Sequence, residues 1–274
     1  MRTIAVTGSA SGIGAATAAR LEADGCRVIR VDVQRGDVVG DLLTRAGRLG
    51  IVDEILSLSG GVLDGLVCAA GVRAFAPRYP GREGEIISIN YFGTAELLQA
   101  LRPALAAAPE PAVAIVASWG LFRPWPLPEA VQACIDGDEA RAIEIVNADP
   151  RAETLHPAYS TSKAALAKLV RLTAPTPEWA GSNITLNVTV PSVTKTAMTT
   201  DRLSTQEGEA ELLRAAPIPM GRIAEPEDQA DLLAYFVGGR ARYITGQVVC
   251  VDGGLEAQRR PDAAIQPIAE WTER

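Results

Sequence analysis

Short β-branched runs alternate with longer Ala- and Leu-rich stretches from residue 3 to residue 251, and this rhythm constrains the fold more than any other feature. Repeated β-α-β units feed a parallel sheet, because each helical crossover returns the chain to the same end before the next strand begins. Strands are read at 3–7, 27–33, 64–69, 112–117, 184–190 and 247–251. Helices are read at 13–24, 85–108, 159–174 and 226–237, where apolar residues recur on one face or Pro and acids open the segment. No Gly/Ser- or Pro-rich linker divides the pattern, so the expected fold is α/β: a single doubly wound parallel-sheet (Rossmann) domain over 1–274 with helices on both faces. Two excursions interrupt it. Residues 121–156 carry Pro124, Pro126 and Pro128 before a helical stretch at 129–148, and read as an inserted helical segment. Residues 196–220 read as a substrate loop, because excursions beyond strand ends usually carry function in such sheets. The stretch 256–274 reads as a polar arm.

Composition excludes several classes. A net charge of −7 opposes binding to a phosphate backbone, so nucleic acid is not an expected partner. No run of about 18 apolar residues is present, so no membrane span is expected. The first strand begins directly after Met1, which leaves no room for a signal peptide and places the protein in the cytoplasm. Cys26, Cys68, Cys134 and Cys250 form no Cys-x-x-Cys pair and His156 is the single histidine, so no metal site is expected.

The first strand runs into Thr7-Gly8-Ser9-Ala10-Ser11-Gly12-Ile13-Gly14 and then a helix. Glycines there let the backbone approach a pyrophosphate, and the helix N-terminus offers unpaired N–H groups and a positive dipole end. The spacing is Gly-x-x-x-Gly-x-Gly rather than the commoner Gly-x-Gly-x-x-Gly. Asp32 ends the second strand, where a carboxylate accepts hydrogen bonds from an adenosine ribose and repels a 2′-phosphate; a capping or turn role is the alternative. Arg35 lies close in sequence, yet NAD is favoured over NADP.

Tyr159-Ser160-Thr161-Ser162-Lys163 puts a phenol and an ammonium one helical turn apart on one face. A free phenol, with a pKa near 10, is a poor base at neutral pH, and a nearby cation makes its phenolate accessible. With lysine only at 163, 168 and 195, a chance Tyr-x-x-x-Lys is improbable. The pair therefore predicts proton transfer accompanying hydride transfer to or from a carbonyl or alcohol carbon.

Gly8-x-x-x-Gly12-x-Gly14 together with Tyr159-x-x-x-Lys163 resembles the short-chain dehydrogenase/reductase family over nearly the whole chain. Cys68-Ala69-Ala70-Gly71 is similar to the family's Asn-Ala-Gly turn, with Cys where Asn is usual. Pro191-Ser192-Val193-Thr194-Lys195-Thr196 is similar to its Pro-Gly motif, with Ser192 in place of Gly. The resemblance implies that Tyr159 is the general acid or base and that Lys163 holds the nicotinamide ribose. It implies also that Ser118 hydrogen-bonds the carbonyl oxygen and that Asn90 supports a proton relay through water to Lys163. It implies a cofactor site of Gly8, Ser11, Gly12, Ile13, Gly14, Asp32, Asp41, Leu42, Ala69, Ala70, Gly71, Tyr159, Lys163, Pro191, Val193 and Thr196.

Forty residues separate Ser118 from Tyr159, more than is usual in the family. With the segments at 39–48, 88–97 and 219–226, this resembles the branch containing 3α-hydroxysteroid dehydrogenase/carbonyl reductase and coniferyl-alcohol dehydrogenase. Trp119, Phe122 and Trp125 follow Ser118, which predicts an aromatic-lined pocket for a bulky ring-bearing small-molecule alcohol or ketone; the alternative is that these rings pack the inserted helix. A homo-oligomer is expected, a homodimer or homotetramer, with the insertion favouring the dimer. A second class of function suits the same residues: an NAD-binding sensor or regulatory protein with little turnover. A serine hydrolase using Ser118 and His156 is disfavoured, because no Gly-x-Ser-x-Gly surrounds Ser118.

Overall fold

A computed structural model describes residues 1–73, 82–152 and 154–263. Seven parallel strands form one sheet: β1 (Thr3–Thr7), β2 (Arg27–Asp32), β3 (Val38–Val39), β4 (Gly65–Cys68), β5 (Ala112–Val116), β6 (Thr185–Pro191) and β7 (Val248–Val251). Their order is 3-2-1-4-5-6-7, so the chain reverses its direction of travel across the sheet between β1 and β4. Ligands in open α/β sheets bind outside the strand carboxyl ends at such a switch point.

Eleven α-helices surround the sheet among the described residues: α1 (Gly12–Ala23), α2 (Arg45–Ser59), α3 (Glu83–Ile87), α4 (Gly93–Ala106), α5 (Pro128–Ile135), α6 (Glu139–Ala148), α7 (Pro157–Thr173), α8 (Thr200–Leu203), α9 (Gln206–Ala215), α10 (Pro226–Val237) and α11 (Leu255–Arg259). Strand alternation decides which helix each side chain meets. Ala5, Leu66, Val113 and Ile115 join the core under α2, α4 and α7, whereas Ile4, Val6, Val67, Ala112 and Ala114 join the core under α1 and α10. Both faces are therefore covered at the centre of the sheet, where β1, β4, β5 and β6 are buried, while β2, β3 and β7 toward the edges are partly exposed. No helix among the described residues is long and apolar enough to cross a membrane.

The expected helix at 85–108 is divided. Between α3 and α4, Ser88–Phe92 forms a π-helical turn, a wider coil that often marks a functional position. The expected stretch at 129–148 is likewise two helices, because Gly137 adopts φ 77° and the Asp138 carboxylate caps α6 by accepting from the Arg141 N–H at 2.9 Å. The substrate-loop region contains α8 and α9, and the polar arm begins as α11; residues 264–274 of that arm lie outside the described residues.

One buried charge ties these parts together. Arg48 of α2, 1% exposed, donates to the carbonyls of Leu42, Leu43 and Ser88 and to the carboxylates of Glu96 on α4 and Glu139 on α6. It joins the loop after β3, the π turn and the inserted helices at one guanidinium.

Candidate active site

A cavity of about 660 Å³ opens at the carboxyl ends of the strands, where the sheet changes direction. The cofactor residues anticipated from the sequence, including Asp41 and Leu42 at one side and Pro191, Val193 and Thr196 at another, line it together with Ser118, Tyr159 and Lys163. A second cleft of about 760 Å³ where α3 meets α6 contains none of these groups.

The glycine loop is as tight as the sequence requires. Gly8 has φ 71°, and a Cβ there would lie 2.7 Å from the Ala70 backbone nitrogen; a Cβ on Gly14 would lie 2.2 Å from the Gly8 carbonyl oxygen. Ser11 occupies the N-cap of α1 without a side-chain capping bond, which leaves the first-turn N–H groups facing the cavity as anion donors. Asp32 is fixed by accepting from the Ala10 N–H at 3.1 Å and the Gln34 N–H at 2.9 Å. Each carboxylate oxygen keeps acceptor capacity beyond those bonds. Arg35 donates to the Ala10 carbonyl at 3.2 Å, so a cation sits beside Asp32 after all. Ser192 Oγ lines the cavity and is a buried polar atom with no partner among the described residues. An uncapped helix start, a ribose-type carboxylate and an unpartnered hydroxyl together fit a nicotinamide dinucleotide.

Tyr159 and Lys163 both stand on α7. Lys163 is 4% exposed and its ammonium donates to the Val116 carbonyl at 2.8 Å, with its nitrogen 5.9 Å from the Tyr159 ring centroid. Burial draws its pKa down to about 8. Burial in turn pushes the Cys68 thiol up to about 12, so it stays a neutral apolar neighbour. Ser118 Oγ accepts from the Gly120 N–H at 3.2 Å, which leaves its proton available to a ligand.

Asn90 does not line the cavity but stands behind it, fully buried. Its Oδ1 accepts from the Val72 N–H at 2.8 Å, and its Nδ2 donates to the Val72 carbonyl at 2.9 Å and to Ser162 Oγ at 3.2 Å. A Cβ on Gly71 would lie 3.3 Å from Asn90 Oδ1 and 3.4 Å from Lys163 Nζ, so glycine there lets both groups approach.

The aromatic pocket is narrower than the sequence implies. Trp119 and Trp125 line the cavity, whereas Phe122 does not: its ring packs edge-on against Trp119 at 6.3 Å and under the Arg260 guanidinium at 4.6 Å. Trp119 and Phe122 stand at i and i+3 of a single 3-10 turn, where side chains eclipse, so Phe122 packs on the Trp119 ring and against Arg260 instead of lining the cavity. Sequence reasoning missed Arg73, Arg123, Arg202 and His156 in the same lining. Each lies in a segment the sequence marks, Arg73 two residues beyond Gly71, Arg123 between Phe122 and Trp125, His156 at the end of the insertion and Arg202 in the substrate loop, but nothing in the sequence turns these side chains into the cavity. His156 begins α7 with φ 48°, and its Nδ1 lies 2.8 Å from the buried carboxylate of Glu83, which also accepts from the Ala158 N–H at 3.1 Å.

Known proteins share this sequence and fold. A family profile described as Enoyl-(Acyl carrier protein) reductase matches residues 142–256, the span that contains Tyr159 and Lys163. The 3-alpha-hydroxysteroid dehydrogenase/carbonyl reductase of Comamonas testosteroni is 35% identical over 95% of this chain and 99% of its own length. The cis-4-hydroxycyclohexanecarboxylate dehydrogenase of Sinomonas cyclohexanicum is 30% identical over 93% of this chain and 97% of its own. The crystal structure of the 3-alpha-hydroxysteroid dehydrogenase from Pseudomonas sp. B-0831, complexed with NADH, superposes with a TM-score of 0.85 at 39% identity and covers 95% of this chain and 99% of that one. A full-length match of this kind, on a chain whose glycine loop, Tyr159 and Lys163 share one cavity, places the protein in the short-chain dehydrogenase/reductase family of oxidoreductases.

Proposed function

We propose that the protein is an NAD-dependent oxidoreductase that interconverts a secondary or aryl alcohol and its carbonyl compound, with a ring-bearing substrate of steroid-like, aryl or alicyclic type. The observation that carries this is the convergence of Tyr159, Ser118 and Lys163 on one cavity with the glycine loop. When bound, the nicotinamide ring supplies or takes the hydride. Tyr159 gives its phenolic proton to the carbonyl oxygen in reduction and takes it back in oxidation. The Ser118 hydroxyl donates to the same oxygen as negative charge develops on it. Lys163 holds the nicotinamide ribose and keeps positive charge beside the phenol as its proton leaves. Asn90 braces the Val72 backbone and carries a water-mediated relay toward Lys163.

Gly8, Ser11, Gly12, Ile13 and Gly14 would receive the pyrophosphate; Asp32, Asp41 and Leu42 the adenosine; Ala69, Ala70 and Gly71 the middle of the cofactor; Pro191, Val193 and Thr196 the nicotinamide end. NAD is favoured over NADP because the Asp32 carboxylate suits a free ribose and repels a 2′-phosphate. The NADH in the Pseudomonas relative supports the same choice. Trp119 and Trp125 support a ring-bearing substrate, as do relatives whose names specify a steroid and a cyclohexane ring.

The test follows NADH absorbance with steroid, aryl, alicyclic and short aliphatic alcohols, in wild type and Tyr159→Phe. Turnover of at least one ring alcohol is expected, slowed about 10²- to 10⁴-fold by Tyr159→Phe. Wild type and variant equally inactive on every alcohol, with NAD still bound, would establish the sensor instead. Equal rates on short aliphatic alcohols would refute the ring pocket.

A further inference from the structure

We propose that the substrate carries an anionic group, a carboxylate in its simplest form, on the part of its ring system remote from the reacting carbon, and that Arg123 receives it. This deepens the oxidoreductase reading and rests on it.

Arg123 follows the 3-10 turn that starts at Ser118, and it lines the cavity. Its guanidinium carbon lies 4.4 Å from the Trp125 ring centroid and 5.7 Å from that of Trp119, so two indoles hold it. Among the described residues no carboxylate pairs with it, in contrast to Arg30, Arg48, Arg151 and Arg222, each of which donates to one at 3.0 Å or less. A half-buried guanidinium gives up water without an acid to replace it, and burial accordingly draws its pKa down.

The neighbours share its sign. Arg73 and Arg202 line the same cavity; burial lowers the pKa of Arg73, and the positive charges of Arg202 and Arg123 add to that. Arg202 is paired with Glu211 at 3.2 Å, whereas Arg123 has no carboxylate partner among the described residues. The acids lining the cavity, Asp32 and Asp41, sit beyond β2, and β2 lies three strand positions from the β5 end that bears Ser118. At about 4.8 Å per strand that is roughly 14 Å, so they neutralise nothing at the Tyr159 end. The Trp119 indole N–H is buried without an acceptor among the described residues. The substrate end of the cavity therefore gathers donors and positive charge, and an anion is the ligand chemistry that satisfies both.

The test is calorimetric titration of the NAD-loaded protein with cyclohexanecarboxylate and cyclohexanecarboxamide, a matched anion and neutral amide that lack the reacting hydroxyl. The carboxylate is expected to bind about ten- to a hundredfold more tightly, the range of a charged hydrogen bond. Arg123→Gln should bring the two within about threefold, and Arg123→Lys should restore part of the preference. Equal binding by wild type, or a preference unchanged in Arg123→Gln, overturns the proposal. The two readings fail separately. Equal binding with NADH still formed from a neutral ring alcohol removes the anion site and keeps the oxidoreductase, whereas a carboxylate preference without NADH from any alcohol keeps the anion site and removes the turnover.

Discussion

Replacing Arg48 by methionine keeps most of the side-chain volume and removes every donor. The guanidinium it deletes makes bonds of 2.7–3.2 Å to three backbone carbonyls and two carboxylates. Removing one partner of a buried ion pair typically costs about 3–5 kcal/mol, because the other charge is left uncompensated. Glu96 and Glu139 have side chains 33% and 30% exposed, so water recovers part of their solvation and the lower end applies, about 3 kcal/mol. At roughly 2–4 °C per kcal/mol for a domain of this size, the melting temperature should fall about 6–12 °C.

The pH dependence provides an internal control. Burial raises the Glu139 carboxyl pKa, but hydrogen bonds from Arg48 and Ser88 and the charge of Arg48 outweigh it and hold the group below its ordinary 4.5. A depressed folded-state pKa means stability present above 4.5 and lost as pH falls through the folded value. The gap between wild type and Arg48→Met should therefore narrow on acidification. Urea unfolding followed by circular dichroism at pH 7 and pH 4 measures both quantities. A loss below about 1 kcal/mol at pH 7 would refute the reasoning, since buried unpaired groups cost at least that.

Lys163→Met should abolish turnover yet melt above wild type at pH 7, by about 2 kcal/mol once the lost bond to Val116 is set against the relief of burial. With the folded pKa near 8 and the ordinary value at 10.5, wild type gains stability as pH rises across that interval, so the variant's lead should shrink between pH 8 and 10; no lead in thermal scans at pH 7 contradicts this. Asp32→Ser removes the charge opposing a 2′-phosphate and leaves Arg35 beside it, so the ratio of kcat/KM for NADP to that for NAD should rise about ten- to a hundredfold; an unchanged ratio in paired cofactor assays shows that Asp32 does not select the cofactor.

The alternation of short strand runs with helical stretches determined the sheet; β1 and β5 were legible as apolar runs buried on both faces, and β6 by its β-branched Thr and Val residues, although it buries Thr185, Asn187 and Thr189. The glycine loop and the Tyr159/Lys163 pair were legible because their chemistry lies within a single turn of chain. Two elements were not. α2 buries Arg48 among Ile51, Val52 and Ile55, so its inner face did not read as apolar, and β3 spans two residues. The π turn at Asn90 depends on what the flanking helices pack against, which no local pattern carries, whereas the break at Gly137 did have a local signal, a glycine followed by the Asp138 N-cap. The sequence by itself determined six of the seven strands, the glycine loop and the Tyr159/Lys163 pair, all properties of short contiguous segments. Only the tertiary structure decided that Phe122 turns away and that Arg73, Arg123 and Arg202, each from a different loop or helix, meet at the substrate end of the cavity. Charges so far apart along the chain acquire a common field only when the fold closes the distance between them.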